Sequence, residues 1–256
     1  MLEKEIRELT ESQNGNISYV IGLGDTLLKY REKEAYYPAS TVKVPNAMAN
    51  MLAFESQLDK TINVVNPVDG CGILHTQRYM DNITLYDAIV LSIIVSDNTA
   101  ANMVIDHIGV KELNEYYQKF GMKDTYLRGK YYDFENTDRR SSTVTADDLY
   151  QCMQLLTKEN DVFPSHLRKT MLDIMKRQQF NDRVGGFLLN QDDGKKEFYI
   201  ASKTGSVNNL EHDFGVISYN GKEVTFAVCS AGWNSNIEAR KYMMDLGTIL
   251  QKYLGM

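Results

Sequence analysis

The sequence predicts an α/β fold: one antiparallel sheet flanked by N- and C-terminal helices, with an all-α lobe inserted between its strands. Strand periodicity is confined to the two ends, at residues 17–30 and from about 197 onward. Between them, residues 60–188 read as helices joined by polar loops. The 256 residues suffice for one large domain or for two lobes sharing an interface. The expected division is an α/β lobe from residues 1–39 and 190–256 and an all-α lobe over about 40–189, within a single unit spanning 1–256. A cleft between two lobes is a common place for a small-molecule site.

The elements follow from local pattern. Leu2, Ile6 and Leu9 recur at helical spacing, and Asn14-Gly15-Asn16 stops that helix. Ile17–Ile21 reads as a strand, turned by Gly22-Leu23-Gly24-Asp25 into a second strand at Leu27–Tyr30. This Gly-x-Gly precedes a hairpin rather than a helix, which argues for a turn and against a phosphate loop. From Ser40 to about Leu58 the pattern is helical, with Pro45 close to the first turn, where proline is tolerated. Thr84–Val95 is the most apolar stretch and predicts a buried helix. Helices over Asn98–Ile108 and Val110–Phe120 stop at Gly109 and Gly121.

Residues 122–144 lack periodicity and read as a long loop, after which helices resume at Thr145–Leu156 and Ser165–Gln178. Phe198–Ser202, Asp213–Tyr219 and Val224–Cys229 are strands, the last two joined by Asn220-Gly221, a strong hairpin signal. An amphipathic helix over 235–254 closes the chain.

Composition excludes several functions. With a net charge of −6 and no basic cluster, the chain has nothing to neutralise phosphates, so no nucleic-acid partner is expected. Cys71, Cys152 and Cys229 form no C-x-x-C pair, which argues against a zinc or thioredoxin-like site and for three buried thiols. No metal and no cofactor is expected. The charged N-terminus lacks a signal-peptide core, and no run approaches the roughly 18 apolar residues of a membrane span. The expectation is a soluble, cytoplasmic chain, the alternative a secreted mature form without its leader, and a monomer by default.

Three short motifs carry chemistry. Ser40-Thr41-Val42-Lys43 places a hydroxyl and an amine three residues apart at a helix start, on one face and about 5–6 Å apart at Cβ. Positive potential at the helix N-terminus, with burial, disfavours a charged Lys43, so its amine can take the Ser40 proton. Alone the motif reads first as an ordinary helix cap beside an exposed lysine. Ser96-Asp97-Asn98 adds a hydroxyl that can relay a proton, an Asp that pins the loop, and an amide that can hold a substrate. Lys203-Thr204-Gly205-Ser206, at a strand end, supplies positive potential and hydroxyls for a substrate carboxylate. Gly205 there allows close approach of substrate backbone. The N–H groups of Ser40 and Ser206 can form an oxyanion hole.

S-x-x-K, S-D-N and K-T-G in this order are the motif set of class A β-lactamases and penicillin-binding proteins. The sequence resembles that family over roughly residues 15 to 255, through Pro38–Pro45, Ile94–Asn102, Ala201–Gly205, Gly72-Ile73-Leu74 and His212–Gly215. The resemblance implies the β-lactamase/transpeptidase-like fold and acyl transfer on a β-lactam or D-alanyl peptide. Ser40 would be the nucleophile, Lys43, Ser96 and Lys203 would manage protons and charge, and Asn98, Thr204, Gly205 and Ser206 would hold substrate.

Two departures matter. The family's water-orienting loop Glu is matched by Glu135, but Arg139 stands where the family has an Asn, and the following loop is shortened. The plain alternative for Glu135 is a loop carboxylate paired with Arg139 or Arg140. The family's carboxylate-binding Arg is also missing, with Lys222 as the only nearby cation. The expected function is a class A-like β-lactamase. The alternatives are a penicillin-binding-protein-like D-alanyl peptidase or esterase, and a sensor acylated by β-lactams that releases them slowly.

Overall fold

The computed structural model describes residues 2–186 and 198–256. Helix α1 (Leu2–Glu11) leads into strands β1 (Asn16–Leu23) and β2 (Thr26–Tyr30). Helix α2 (Lys43–Ala53), short strands β3 (Thr61–Asn63) and β4 (Asn82–Thr84), and helices α3 (Leu85–Ile94), α4 (Asn98–Ile108) and α5 (Val110–Lys119) follow. After a loop come α6 (Ala146–Thr157) and α7 (Ser165–Met175), then β5 (Phe198–Val207), β6 (Leu210–Tyr219), β7 (Lys222–Ala231) and α8 (Asn236–Leu254). The five long strands form one antiparallel sheet in the order β2-β1-β7-β6-β5, so chain ends far apart in sequence meet at β1 and β7.

The sheet is covered on both faces, which is why β1, β6 and β7 are buried along nearly their whole length. Strand alternation separates two cores. Ile17, Tyr19 and Ile21 of β1 and Val224, Phe226 and Val228 of β7 pack with Tyr242, Met243, Leu246 and Leu250 of α8. Val20, Phe214, Val216 and Ala227 point the other way, into the core shared with α2 to α7.

The helical section departs from the sequence reading in three places. It is not all-α: β3 and β4 pair, with Ile62 opposite Ile83. Runs of three residues are too short for a periodic pattern to reveal. Helix α2 begins at Lys43, not Ser40, because Pro45 has no N–H to give Thr41. Pro45 thus becomes the third helical residue, whose N–H has no intrahelical partner in any case, and Asn46 N closes the first turn onto Val42 O at 3.0 Å. The 122–144 loop is stitched to the rest by isolated bridges, Tyr36 with Val144 and Tyr126 with Thr143. The expected lobe boundary near residue 190 lies outside the described residues.

Candidate active site

The turn before α2 presents Ser40, half-buried, after Ala39 in a left-handed conformation (φ 47°). A non-glycine residue there carries backbone strain, and the surrounding contacts impose it. Thr41 donates its N–H and hydroxyl to Pro38 O at 3.0 and 2.7 Å, and the Tyr131 hydroxyl donates to Ala39 O at 2.9 Å. His212 Nδ1 accepts from Ser230 N (3.1 Å), so Nε2 carries the proton and donates to Tyr37 O at 2.9 Å. Burial lowers the His212 pKa to about 4, keeping this ring neutral.

Lys43, in the first turn of α2, is buried at 1% exposure. Its Nζ donates to Ser96 O at 2.7 Å and Asn98 Oδ1 at 2.8 Å, and lies 3.2 Å from Ser96 Oγ. Burial, with Lys203 nearby, holds this amine well below the ordinary lysine range; the Tyr131 ring, centred 4.4 Å from Nζ, favours the charge.

Ser96, at φ 53°, turns the chain between α3 and α4. Asp97 holds that turn. One carboxylate oxygen caps α4 by accepting from Ala100 N (2.9 Å), and the other accepts from Ile73 N and Leu74 N (2.7 Å each). Asp97 is fully buried and has no role left over for substrate. A Cβ on Gly72 (φ 109°) would stand 2.3 Å from the Asp97 carboxylate, so glycine is needed there.

Alternation along β5 points Lys203 toward the helical section. Its Nζ donates to Ser96 Oγ at 3.0 Å and Thr204 O at 2.8 Å, and burial lowers its pKa to about 7. β5 continues through Val207, so the Lys203–Ser206 segment lies inside the strand rather than at its end. A Cβ on Gly205 would sit 3.0 to 3.3 Å from Thr41, Pro38 O and Ala39, so the missing side chain is what lets β5 lie against the Ser40 turn.

The three motifs converge on one hydroxyl. Ser96 O and Asn98 Oδ1 can only accept, so a neutral Lys43 amine, with two protons and one lone pair, is satisfied when Ser96 Oγ–H donates to it. Ser96 Oγ in turn accepts from Lys203. Protonated Lys203, neutral Lys43 and a donating Ser96 therefore form a self-consistent chain of hydrogen bonds. That arrangement can take a proton from a nucleophile and return one to a leaving group.

A cavity of about 700 Å³ opens beside these groups. Ser40, Asn98 and Ser206 line it, together with Tyr131, Phe134 and Arg139. Glu135 does not: its side chain is on the exposed surface of the loop and pairs with neither Arg139 nor Arg140. Cys71 is only half-buried and lines the cavity, against the expectation of a buried thiol; Cys152 and Cys229 are buried.

Lys222, the only cation near in sequence to the place of the family's carboxylate-binding Arg, does not line the cavity either. Lys222 stands across the β6–β7 turn from Tyr219, and its Nζ points to Tyr253 O. Around Ser206 lies a network that sequence reasoning missed. The buried Glu211 carboxylate accepts from the Ser206 hydroxyl (2.8 Å), Asn236 Nδ2 (2.8 Å), Arg240 Nε (3.0 Å), and Arg183 Nε and Nη2 (3.0 and 2.7 Å). These residues span the chain from 183 to 240, and no local spacing signals them. Among the described residues there is no group of three or more His, Cys, Asp or Glu placed to hold a metal, and no helix is long and apolar enough to cross a membrane.

Mixed α/β architecture around an antiparallel sheet, with a helical section beside it, is the β-lactamase/transpeptidase fold. A β-lactamase from Sphaerobacter thermophilus superposes with a TM-score of 0.86 at 24% identity, over 99% of this chain and 96% of that one. A class A β-lactamase from Mycobacterium abscessus matches with a TM-score of 0.85 at 20% identity over the whole of both chains. A PBP-A variant described as an acyl-enzyme complex with penicillin G matches with a TM-score of 0.84 at 23% identity, over 98% and 95% of the two chains. No curated protein matches by sequence. Residues 1–254 match the model of the β-lactamase enzyme family, and the chain belongs to that family.

Proposed function

We propose that this protein is a serine hydrolase that opens β-lactam rings through an acyl-enzyme on Ser40 and releases the product slowly. The observation that carries the reading is the buried Lys43–Ser96–Lys203 hydrogen-bond chain, joined through Asn98 to the cavity that Ser40 lines. Ser40 Oγ attacks the lactam carbonyl carbon and its proton passes to neutral Lys43. The C–N bond breaks, the ring nitrogen takes the Ser96 proton, and Lys43 restores it to Ser96. The N–H groups of Ser40 and Ser206 stabilise the tetrahedral oxyanion. Asn98 and Gly205 hold the amide side of the substrate and Thr204 its carboxylate, while the Ser206 hydroxyl stays bound to Glu211. Water then attacks the ester carbonyl, and Ser40 regains a proton as the acid leaves.

Slow release follows from Glu135. Among the described residues no Asp or Glu lines the cavity, so none of their carboxylates is in place to orient that water. The same observation favours a second reading, in which the natural acyl donor is a D-alanyl peptide or ester, as for penicillin-binding proteins.

With a chromogenic cephalosporin, a burst of one equivalent should precede a slower steady state. Ser40→Ala should show neither phase, and Glu135→Gln should keep the wild-type steady-state rate. Rapid turnover without a burst, lost in Glu135→Gln, would overturn slow release. No covalent adduct on Ser40 would overturn the acyl-enzyme.

A further inference from the structure

The cavity carries a charge pattern that acyl transfer alone does not require. Arg139 and Arg140 both line it, next to Tyr132 and Phe134. The Arg139 guanidinium lies 4.8 Å from the Phe134 ring centre and donates only to main-chain carbonyls, Asp133 O at 2.5 Å and Asn136 O at 3.1 Å. The Arg140 side chain is exposed. Among the described residues neither arginine has a carboxylate partner, and both act electrostatically on the Tyr37 phenol at the same cavity.

The arginines behind Ser206 differ. Arg183 and Arg240 are both tied to Glu211 and Asp182. The cavity wall formed by the 131–140 segment thus holds two guanidinium groups without a direct carboxylate partner, that of Arg139 over the Phe134 ring. The Tyr131–Ala39 hydrogen bond fixes that segment beside the nucleophile.

Resting on the acyl-transfer reading, the geometry points to a subsite for an anionic acyl side arm. In that reading the leaving-half carboxylate lies at Thr204, and the acyl side arm extends from the amide held by Asn98 and Gly205 into the cavity that Arg139 and Arg140 line. We infer that Arg139 and Arg140 select acyl donors whose side arm carries a carboxylate beside an aromatic or extended apolar group, in addition to any carboxylate on the leaving half. A planar guanidinium suits a carboxylate through paired N–H groups and suits an aromatic ring through its face.

The matched probes are benzylpenicillin and carbenicillin, whose side arms differ by one carboxylate. Their rates of Ser40 acylation are followed by intact-mass spectrometry on the whole chain, and the readout is the carbenicillin-to-benzylpenicillin ratio. The ratio should fall about fivefold or more in Arg139→Gln/Arg140→Gln. It should fall in part in Arg140→Gln alone, where no intrachain hydrogen bond is lost, and also on raising salt from about 0.05 to 0.5 M. An unchanged ratio in both variants, with both penicillins still labelling Ser40, would overturn the subsite and leave acyl transfer standing. Labelling by neither penicillin in the wild type would overturn both.

Discussion

Ser96 Oγ lies within 3.2 Å of two amines, and their burial decides how many protons the three groups hold. Burial, with Arg183 nearby, lowers the Lys203 pKa to about 7, and burial together with Lys203 holds Lys43 well below its ordinary range. The sign of the stability effect follows. Between the folded value of about 7 and an unfolded value of about 10.4, the unfolded chain binds more protons, so stability rises with pH.

Below that window Asp213, raised to about 7, and His212, lowered to about 4, oppose one another. Above about pH 8.5 the buried Cys152 and Cys229 thiols, pushed up by burial, work against the gain. The urea midpoint should therefore rise from about pH 7 to 8.5, and rise less in Lys203→Met. Equal slopes in the two proteins would mean that Lys203 keeps its proton throughout.

Among elements, the α3–α4 junction depends on one carboxylate. Asp97 accepts from three backbone N–H groups, of which Ile73 and Leu74 belong to a separate loop. Asp97→Ala should cost about 3–5 kcal/mol in urea unfolding, because all three donors lose a charged acceptor. The left-handed turn at Ser96 would relax with it, so Ser40 acylation should fall on the order of a hundredfold. Retained acylation in this variant would show that Asp97 serves stability alone. That Asp97 pins its own loop is legible in sequence, but the Gly72–Leu74 loop it also holds is 23 residues away or more and is not.

For the whole molecule, the sheet separates two cores, and only the one shared with α2 to α7 contains the groups around Ser96. Phe226, fully buried on the other face against α8, is outside that machinery. Phe226→Ala should cost about 3–5 kcal/mol of stability while the folded fraction acylates Ser40 at the wild-type rate. A slower rate per folded molecule would show that the α8 layer positions β5.

Local chemistry determined what is written locally. Strand and helix periodicity, the Asn220-Gly221 hairpin, and the Ser40–Lys43, Ser96–Asn98 and Lys203–Ser206 runs are all consecutive residues whose pattern survives without the fold. Tertiary structure decided what depends on distance through space. It left Glu135 on the surface, and neutralised Arg183 and Arg240 on Glu211 while leaving Arg139 and Arg140 at the cavity. The reason is physical: whether a charge is paired or buried depends on which groups the fold brings within a few ångströms, and sequence separation carries no such information.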